Sequence, residues 1–439
     1  MKTLIRQFLR KIFQLYAKSF TGLPRRVWLL SLVMLVNRSG AMVVAFLSVY
    51  LIDKQGYAPA TAGYVMAAFG AGGILGNYCG GLLNDRFGSW HIQLFSMIGA
   101  GILNILLGQM TEFWSLCLLA FLISLWADAF RPANRAALAI YAPKERLTQA
   151  FGLQRMAVNL GFSIGPALGG YLIYTYGFEL MFWADGLTFL LAALVFYISL
   201  PADETAKPLV ARAKEDNTLT GNAAPNTIAK APPAHKQAWL LAFILANMGI
   251  ILLFFQLFST FPVYLKEAGF DERAIGWLFT ISGILIVGTE MPILYLAERR
   301  FRPIPTMLVG AGLIIVAYFI LPWVVSLSYL PLVMMILLLT MGEILYMPFT
   351  NTYVTRYAPP ARRGEYLGLL SASYSAAFVL GPLVGFGIAE YYGYGISTLV
   401  CCAIAALGWL VLSRVNIIRE NSNQLTAQSS VAEERVLTP

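Results

Sequence analysis

Twelve stretches of about twenty residues apiece, each almost free of charge, run the length of this 439-residue chain. They lie at 26–52, 61–83, 91–110, 113–139, 148–172, 177–199, 237–265, 273–297, 304–324, 328–354, 364–389 and 394–414, and are called spans 1 to 12. At about 1.5 Å per residue, twenty residues of helix match the roughly 30 Å hydrocarbon core of a bilayer. The blocks are solidly apolar and do not alternate. That excludes a β-barrel and leaves helices, whose backbone polar groups bond internally. With 58% hydrophobic and 12% charged residues, the chain reads as an all-α membrane protein of twelve transmembrane helices.

Between spans 6 and 7 lies a polar stretch, 200–236, rich in Pro, Ala, Asn and Thr, which suits a cytoplasmic linker between two six-helix halves, 26–199 and 237–414. Residues 1–25 place Ile5, Leu9, Ile12 and Tyr16 at helical spacing among basic residues, as an interfacial amphipathic helix does. The tail 415–439 is polar and expected to be disordered. If both termini are cytoplasmic, 24 of the 31 basic residues fall on the inside and only Lys54, Lys266 and Arg273 outside. The positive-inside rule therefore places both termini in the cytoplasm. The net charge of +9 follows from this loop asymmetry and from contact with anionic lipid, and calls for no nucleic acid. Cys79, Cys117, Cys401 and Cys402 lie in apolar blocks without metal or redox spacing, and no metal or other cofactor is expected.

The halves repeat each other. At an offset of 216 residues, "YAPKERLTQAFGLQ" from 141 aligns with "YAPPARRGEYLGLL" from 357. Without a gap, Pro132 meets Pro348, Arg146 meets Arg362, Gly165-Pro166 meets Gly381-Pro382, and Tyr176-Gly177 meets Tyr392-Gly393. Shared hydrophobicity alone does not keep Gly, Pro and Arg in register over some fifty residues. In transporters such tandem halves place a substrate cavity near the bilayer midplane.

The loop after span 2, "GLLNDRFG" from Gly81 to Gly88, resembles the loop signature of the major facilitator superfamily, G-x-L-x-D-R-x-G. The resemblance implies a gate in which Asp85 and Arg86 bias the access state through the neighbouring half. Span 5 carries Gly152, Gly161, Gly165, Pro166, Gly169 and Gly170, at the spacing of the span 5 signature of the superfamily's proton-coupled drug antiporters. That likeness implies the major facilitator fold, with two pseudo-symmetric six-helix halves, and places the glycine face at the interface between them. The four-residue glycine spacing also lets a neighbouring backbone approach closely. Spans 1 and 10 faintly resemble proton-coupled peptide importers, which keeps peptide import as the alternative.

Charges inside the bilayer are costly and point to function. Arg38 and Asn37 in span 1, Asp128 in span 4, Glu290 in span 8 and Glu343 in span 10 are the expected proton-coupling and cavity residues, with Glu343 the proton carrier and Arg38 biasing its charge. Arg131, Arg155 and Asp185 are expected in a buried ion-pair group with Asp128. The chain has no nucleotide-binding loop and no convergent His, Ser or metal-ligand set, so neither a primary pump nor an enzyme is expected. The resulting expectation is a multi-pass, monomeric transporter of the bacterial inner membrane. It is driven by protons with no cofactor, touches membrane lipids, and exports amphipathic small molecules or drugs.

Overall fold

The computed structural model describes residues 22–202, 233–359 and 362–437. Most of the amphipathic segment expected at 1–25 and most of the 200–236 linker lie outside the described residues. Among the described residues every regular element is a helix.

Among the described residues, eleven helices are long and apolar enough to cross a membrane, the last of them running over Glu365–Glu420. At about 1.5 Å per residue that last stretch is far longer than a bilayer is thick. It is broken at Gly393, whose φ of 80° and ψ of 163° are non-helical. Two spans result, and the total is twelve. Gly177, with φ 86°, makes the same turn between spans 5 and 6, where Leu147–Tyr176 meets Phe178–Ser199. Both positions need a backbone conformation that side chains resist.

The remaining spans follow equally local rules. Span 2 (Pro59–Phe87) and span 9 (Pro303–Val324) each begin with proline in the first turn, where its missing N–H costs nothing. Span 3 is Ser89–Leu107, span 4 is Phe113–Tyr141, span 8 is Glu272–Arg300 and span 10 is Tyr329–Tyr357. Spans 1 and 7 are each interrupted. Span 1 is Arg25–Ser39 and Met42–Val49, followed by a π-helical turn at Tyr50–Lys54. Span 7 is Ala238–Phe255, a 3₁₀ turn at Gln256–Phe258, and Thr260–Glu267. The final helical backbone continues to Leu437, through the tail expected to be disordered. No Gly or Pro interrupts that tail before its last residue, and nothing local stops the helix.

The chain divides into two compact units, Met1–Gly221 with Phe261–Pro292, and Asn222–Thr260 with Ile293–Pro439. The end of span 7 and most of span 8 thus join the first unit rather than the half that sequence assigned to them. The reason is close backbone packing. A Cβ built on Gly283 or Gly276 would run into Ser163 or the Pro166 carbonyl of span 5. In the first unit Gly72, Gly76 and Gly80 of span 2 likewise meet the backbone of Phe121, Leu125 and Ala129 in span 4, the small-residue packing on which membrane helices rely.

Candidate functional site

Spans 5 and 8 carry the first cluster. Thr280 Oγ1 donates to the Ser163 carbonyl at 2.6 Å and fixes their register. Further along the same contact, Gly152, Met156 and Asn159 of span 5 line a cleft with Ile286, Val287, Glu290 and Met291 of span 8. Glu290 is 6% exposed. Its Oε1 accepts from Arg155 Nη2 and its Oε2 from Asn159 Nδ2, the latter at 3.2 Å. The Arg155 side chain is 41% exposed. A carboxylate is therefore held beneath a more accessible guanidinium, within a mainly apolar cleft.

This arrangement corrects the expected buried ion-pair group. Asp128 is satisfied one turn along its own helix, by Arg131 Nε at 2.8 Å. Arg155 turns to span 8, and Asp185 lies elsewhere. Three separate sites replace the single cluster, because the helix face on which a residue lies decides its partner.

The second site surrounds the interruption of span 1. There the amides of Ala41 and Met42 bond to the carbonyls of Arg38 and Gly40, not to residues four back. Asp185 of span 6, 2% exposed, reaches the restart: its Oδ2 accepts from the Val43 N–H at 3.0 Å. A carboxylate there complements the positive end of the helix Met42–Val49. On the span 5 side, a Cβ on Gly161 would lie 2.5 Å from Arg38 Cβ, and one on Gly165 would lie 3.0 Å from the Ser39 carbonyl. Gly169 faces Met42. The glycine face expected between halves thus packs on span 1 within the first unit. Pro166 and Gly170, set off that face, meet the backbone of Gly276 and Glu272 at the start of span 8. Arg38 lies over the Phe162 ring at 5.7 Å, and the neighbouring Asn37 is buried with no partner for its Nδ2.

A third feature escaped the sequence reading. Ser31, Gln154, Asn134 and Gln93, from spans 1, 5, 4 and 3, form one buried chain of hydrogen bonds. Their amide and hydroxyl side chains inside apolar blocks were the available signal, since such groups need partners away from water.

The span 2–3 loop turns at Gly88, with φ 82°. Asp85 and Arg86 are exposed in the last turn of span 2, and Arg86 lies over the Phe87 ring at 5.4 Å. Gly81 leaves open space where a Cβ would go. Glu343 is half-buried on span 10 in the second unit, beside Gly342, whose backbone meets that of Gly310 in span 9. At the ends of spans 1, 7 and 8, Lys266 Nζ lies 2.5 Å from Glu272 Oε1 and 3.7 Å from Asp53 Oδ2.

The uncharacterized MFS-type transporter YqjV of Bacillus subtilis (strain 168) is 27% identical over 366 residues, which cover 81% of this chain and 84% of that protein. The multidrug resistance protein MdtH of Photorhabdus laumondii is 24% identical over 380 residues, covering 86% and 88%. A crystal structure of a POT family transporter in complex with 5-aminolevulinic acid shares the fold, with a TM-score of 0.75, 16% identity, and coverage of 91% of this chain and 98% of that one. Residues 27–369 and 341–438 match the model of the Major Facilitator Superfamily. Twelve membrane helices, a tandem repeat and a match over nearly the whole chain lead to one conclusion: the protein belongs to the major facilitator superfamily of membrane transporters.

Proposed function

We propose that this transporter is proton-coupled, works by alternating access, and exports amphipathic small molecules from a cytoplasmic membrane. In this reading both termini are inside, the chain acts as a monomer among lipids, and the proton gradient stands in for any cofactor. The observation that carries the proposal is Glu290, a buried carboxylate whose ion pair with Arg155 ties span 5 of the first sequence half to span 8 of the second. A proton on Glu290 removes the charge that holds Arg155, so the contact loosens; release of the proton restores it. Coupling needs such a link between protonation and the contact of two halves. Glu343 and Asp128 remain the other acids able to carry the proton, and Asp85 and Arg86 act at the gating loop. The kinship to MdtH, named for multidrug resistance, supports export. The likeness to POT structures is one of fold and does not favour import.

Proteoliposomes with an imposed proton gradient and a mixed panel of lipophilic cations and dipeptides test this. Wild type is expected to move an amphipath against its gradient in exchange for protons. Glu290→Gln, which keeps size and hydrogen bonding but not titration, is expected to retain substrate exchange and lose the driven step. Dipeptide uptake driven by inward protons, without movement of the cations, overturns the export reading. Driven transport by Glu290→Gln at the wild-type rate passes the carrier role to Glu343 or Asp128.

A further inference from the structure

One buried acid plays no part in that scheme. Asp185 uses one carboxylate oxygen, Oδ2, to hold the Val43 N–H. The other, Oδ1, is buried with no hydrogen-bond partner. It lies over Gly40, where a Cβ would come within 2.7 Å of it. Thr188 cannot serve it, because its hydroxyl donates to the Asp185 main-chain carbonyl at 2.7 Å. An ionised carboxylate with a bare oxygen away from water is expensive, and a proton on that oxygen removes the expense.

The second repeat shows that the fold does not require this acid. Counting 216 residues on from Gly40 leads to Gln256, at the interruption of span 7, and from Asp185 to the buried Cys401. There the break is held by neutral groups: Gln256 Nε2 donates to the Gly381 carbonyl at 2.9 Å, and Thr260 Oγ1 donates to Gln256 Oε1 at 2.7 Å. Span 11 supplies Gly381 just as span 5 supplies Gly165. The same break is therefore built once with a titratable group and once without.

We propose that Asp185 is a proton-binding site that sets the state of the break in span 1. The proton binds Oδ1. When it does, Oδ2 becomes a neutral and weaker acceptor for the Val43 N–H, and the charge facing the positive end of Met42–Val49 is lost. Span 1 is then free to change its bend at Gly40. Among the described residues, Arg38 is the charged group in electrostatic reach of Asp185. Asp128 and Arg131 of span 4 act on Arg38. Span 5 presents Gly161 and Gly165 to this break, and span 3 packs on Gly186 through Gly101 and Ile105, none of which titrates. The inference rests on the proton-coupled reading and adds a second proton site to it.

The test uses the full chain in lipid nanodiscs and two readouts independent of transport. Infrared titration follows the carbonyl band of a protonated buried carboxyl. Electron-spin distance measurement follows labels at Leu32 and Lys54, exposed positions on either side of the break, after replacement of the four native cysteines. In wild type the band and the label distance are expected to titrate together. In Asp185→Asn, which still offers an acceptor to Val43, the distance change and the part of the band that titrates with it are expected to vanish, while the contribution of Glu290 to the band stays. Should that variant not fold, Asp185→Ser, small and without a carboxyl like the residue of the second repeat but with no thiol to take a label, carries the same expectation. A wild type with no titrating band, or either variant keeping the wild-type band and distance change, overturns the proposal. If both readouts titrate in wild type while proteoliposomes show no proton coupling, the functional reading fails and the proton site stands.

Discussion

The two repeats share a skeleton and differ in chemistry. Span 4 and span 10 are both 29 residues long, begin and end 216 residues apart, and contain Pro132 and Pro348 at matching positions. Gly177 and Gly393 turn with nearly the same angles. Spans 1 and 7 are interrupted at Gly40 and Gln256, each against a glycine face, Gly161-Gly165-Gly169 in one case and Gly381-Gly385 in the other. Buried polar bonds also sit at matching depths. Ser31 and Asn134 belong to the chain described above, while at the related positions Asn247 bonds Ser373 and Tyr346, and Thr350 bonds Tyr374. Around the breaks the charge does not repeat: where the first copy has Arg38 and Asp185, the second has Phe254 and Cys401. Glycines, prolines and small polar groups set the shape in both copies, so what only one copy keeps points to function rather than folding.

The largest expected effect comes from erasing that difference. Cys401 is fully buried, and Cys401→Asp places a carboxyl in a site built for a thiol. A buried charge without its partner costs about 3–5 kcal/mol, so the folded yield in detergent and the unfolding temperature should both drop sharply. The reverse exchange, Asp185→Cys, loses one cap to Val43, worth about 0.5–2 kcal/mol, and should remain folded. Equal losses in the two variants would refute the view that the acid is dispensable for the fold.

Much of this was legible in the sequence, for identifiable reasons. Hydrophobic blocks gave the spans within a few residues, because burial in lipid leaves no other choice of structure. The Gly, Pro and Arg register exposed the repeat, and the loop and span 5 signatures pointed to the superfamily. The break at Gly40 was not visible: a lone glycine in "NRSGAMV" is compatible with a straight helix, and it is Asp185 and the glycines of span 5 that surround the opening. The partner of Arg155 was also hidden. Its depth resembles that of Asp128 and Arg131, yet the two sites separate because span 5 turns Arg155 and Asn159 toward Glu290. Helical period says which residues share a face, and packing alone says what that face meets.

The glycine faces give the next contrast. A methyl on Gly161 falls on Arg38 at 2.5 Å, and one on Gly165 falls on the Ser39 carbonyl at 3.0 Å. Gly161→Ala and Gly165→Ala should each destabilise by about 1–3 kcal/mol through overpacking. The bulkier Gly165→Leu should cost more and impair transport. At Gly381 the nearest atom to a new Cβ is 3.5 Å away, ordinary contact, so Gly381→Ala should be neutral or gain up to about 1 kcal/mol from helix propensity. Thermal unfolding of the single variants measures this. A stable Gly161→Ala would mean that span 1 is free to back away from span 5.

A smaller contrast lies in the buried polar groups. Gln154 holds both Ser31 and Asn134, so Gln154→Leu strands Asn134 Oδ1 and should cost about 1–3 kcal/mol. Tyr346→Phe likewise strands Asn247 Oδ1 but breaks a single bond and leaves Asn247 Nδ2 on Ser373, so it should fall at the lower end of the same range of about 1–3 kcal/mol. Denaturation midpoints that reverse this order would show the second network to be the more tightly coupled.

The smallest effect concerns Lys266, which bridges Asp53 and Glu272 at the ends of spans 1, 7 and 8, just beyond the apolar blocks 26–52, 237–265 and 273–297. Partial burial pulls its ammonium pKa down, but the bond and charge of Glu272, then Asp53, outweigh it and hold the pKa above the ordinary lysine value. A raised pKa in the folded protein means that the link contributes fully below the unfolded-state pKa and is lost as pH rises through the folded one. Lys266→Gln should therefore destabilise the first unit at neutral pH by no more than about 1 kcal/mol, the scale of a partly exposed ion pair. The difference from wild type should be flat through the neutral range and shrink only in strong alkali, and salt should weaken it. Unfolding curves of the two proteins across pH, at low and high ionic strength, give the measurement. A difference that instead disappears on mild acidification would assign the contribution to protonation of Asp53 or Glu272, and the charge that distinguishes the first unit would then respond to acid at this end of spans 1, 7 and 8 as well as at Asp185.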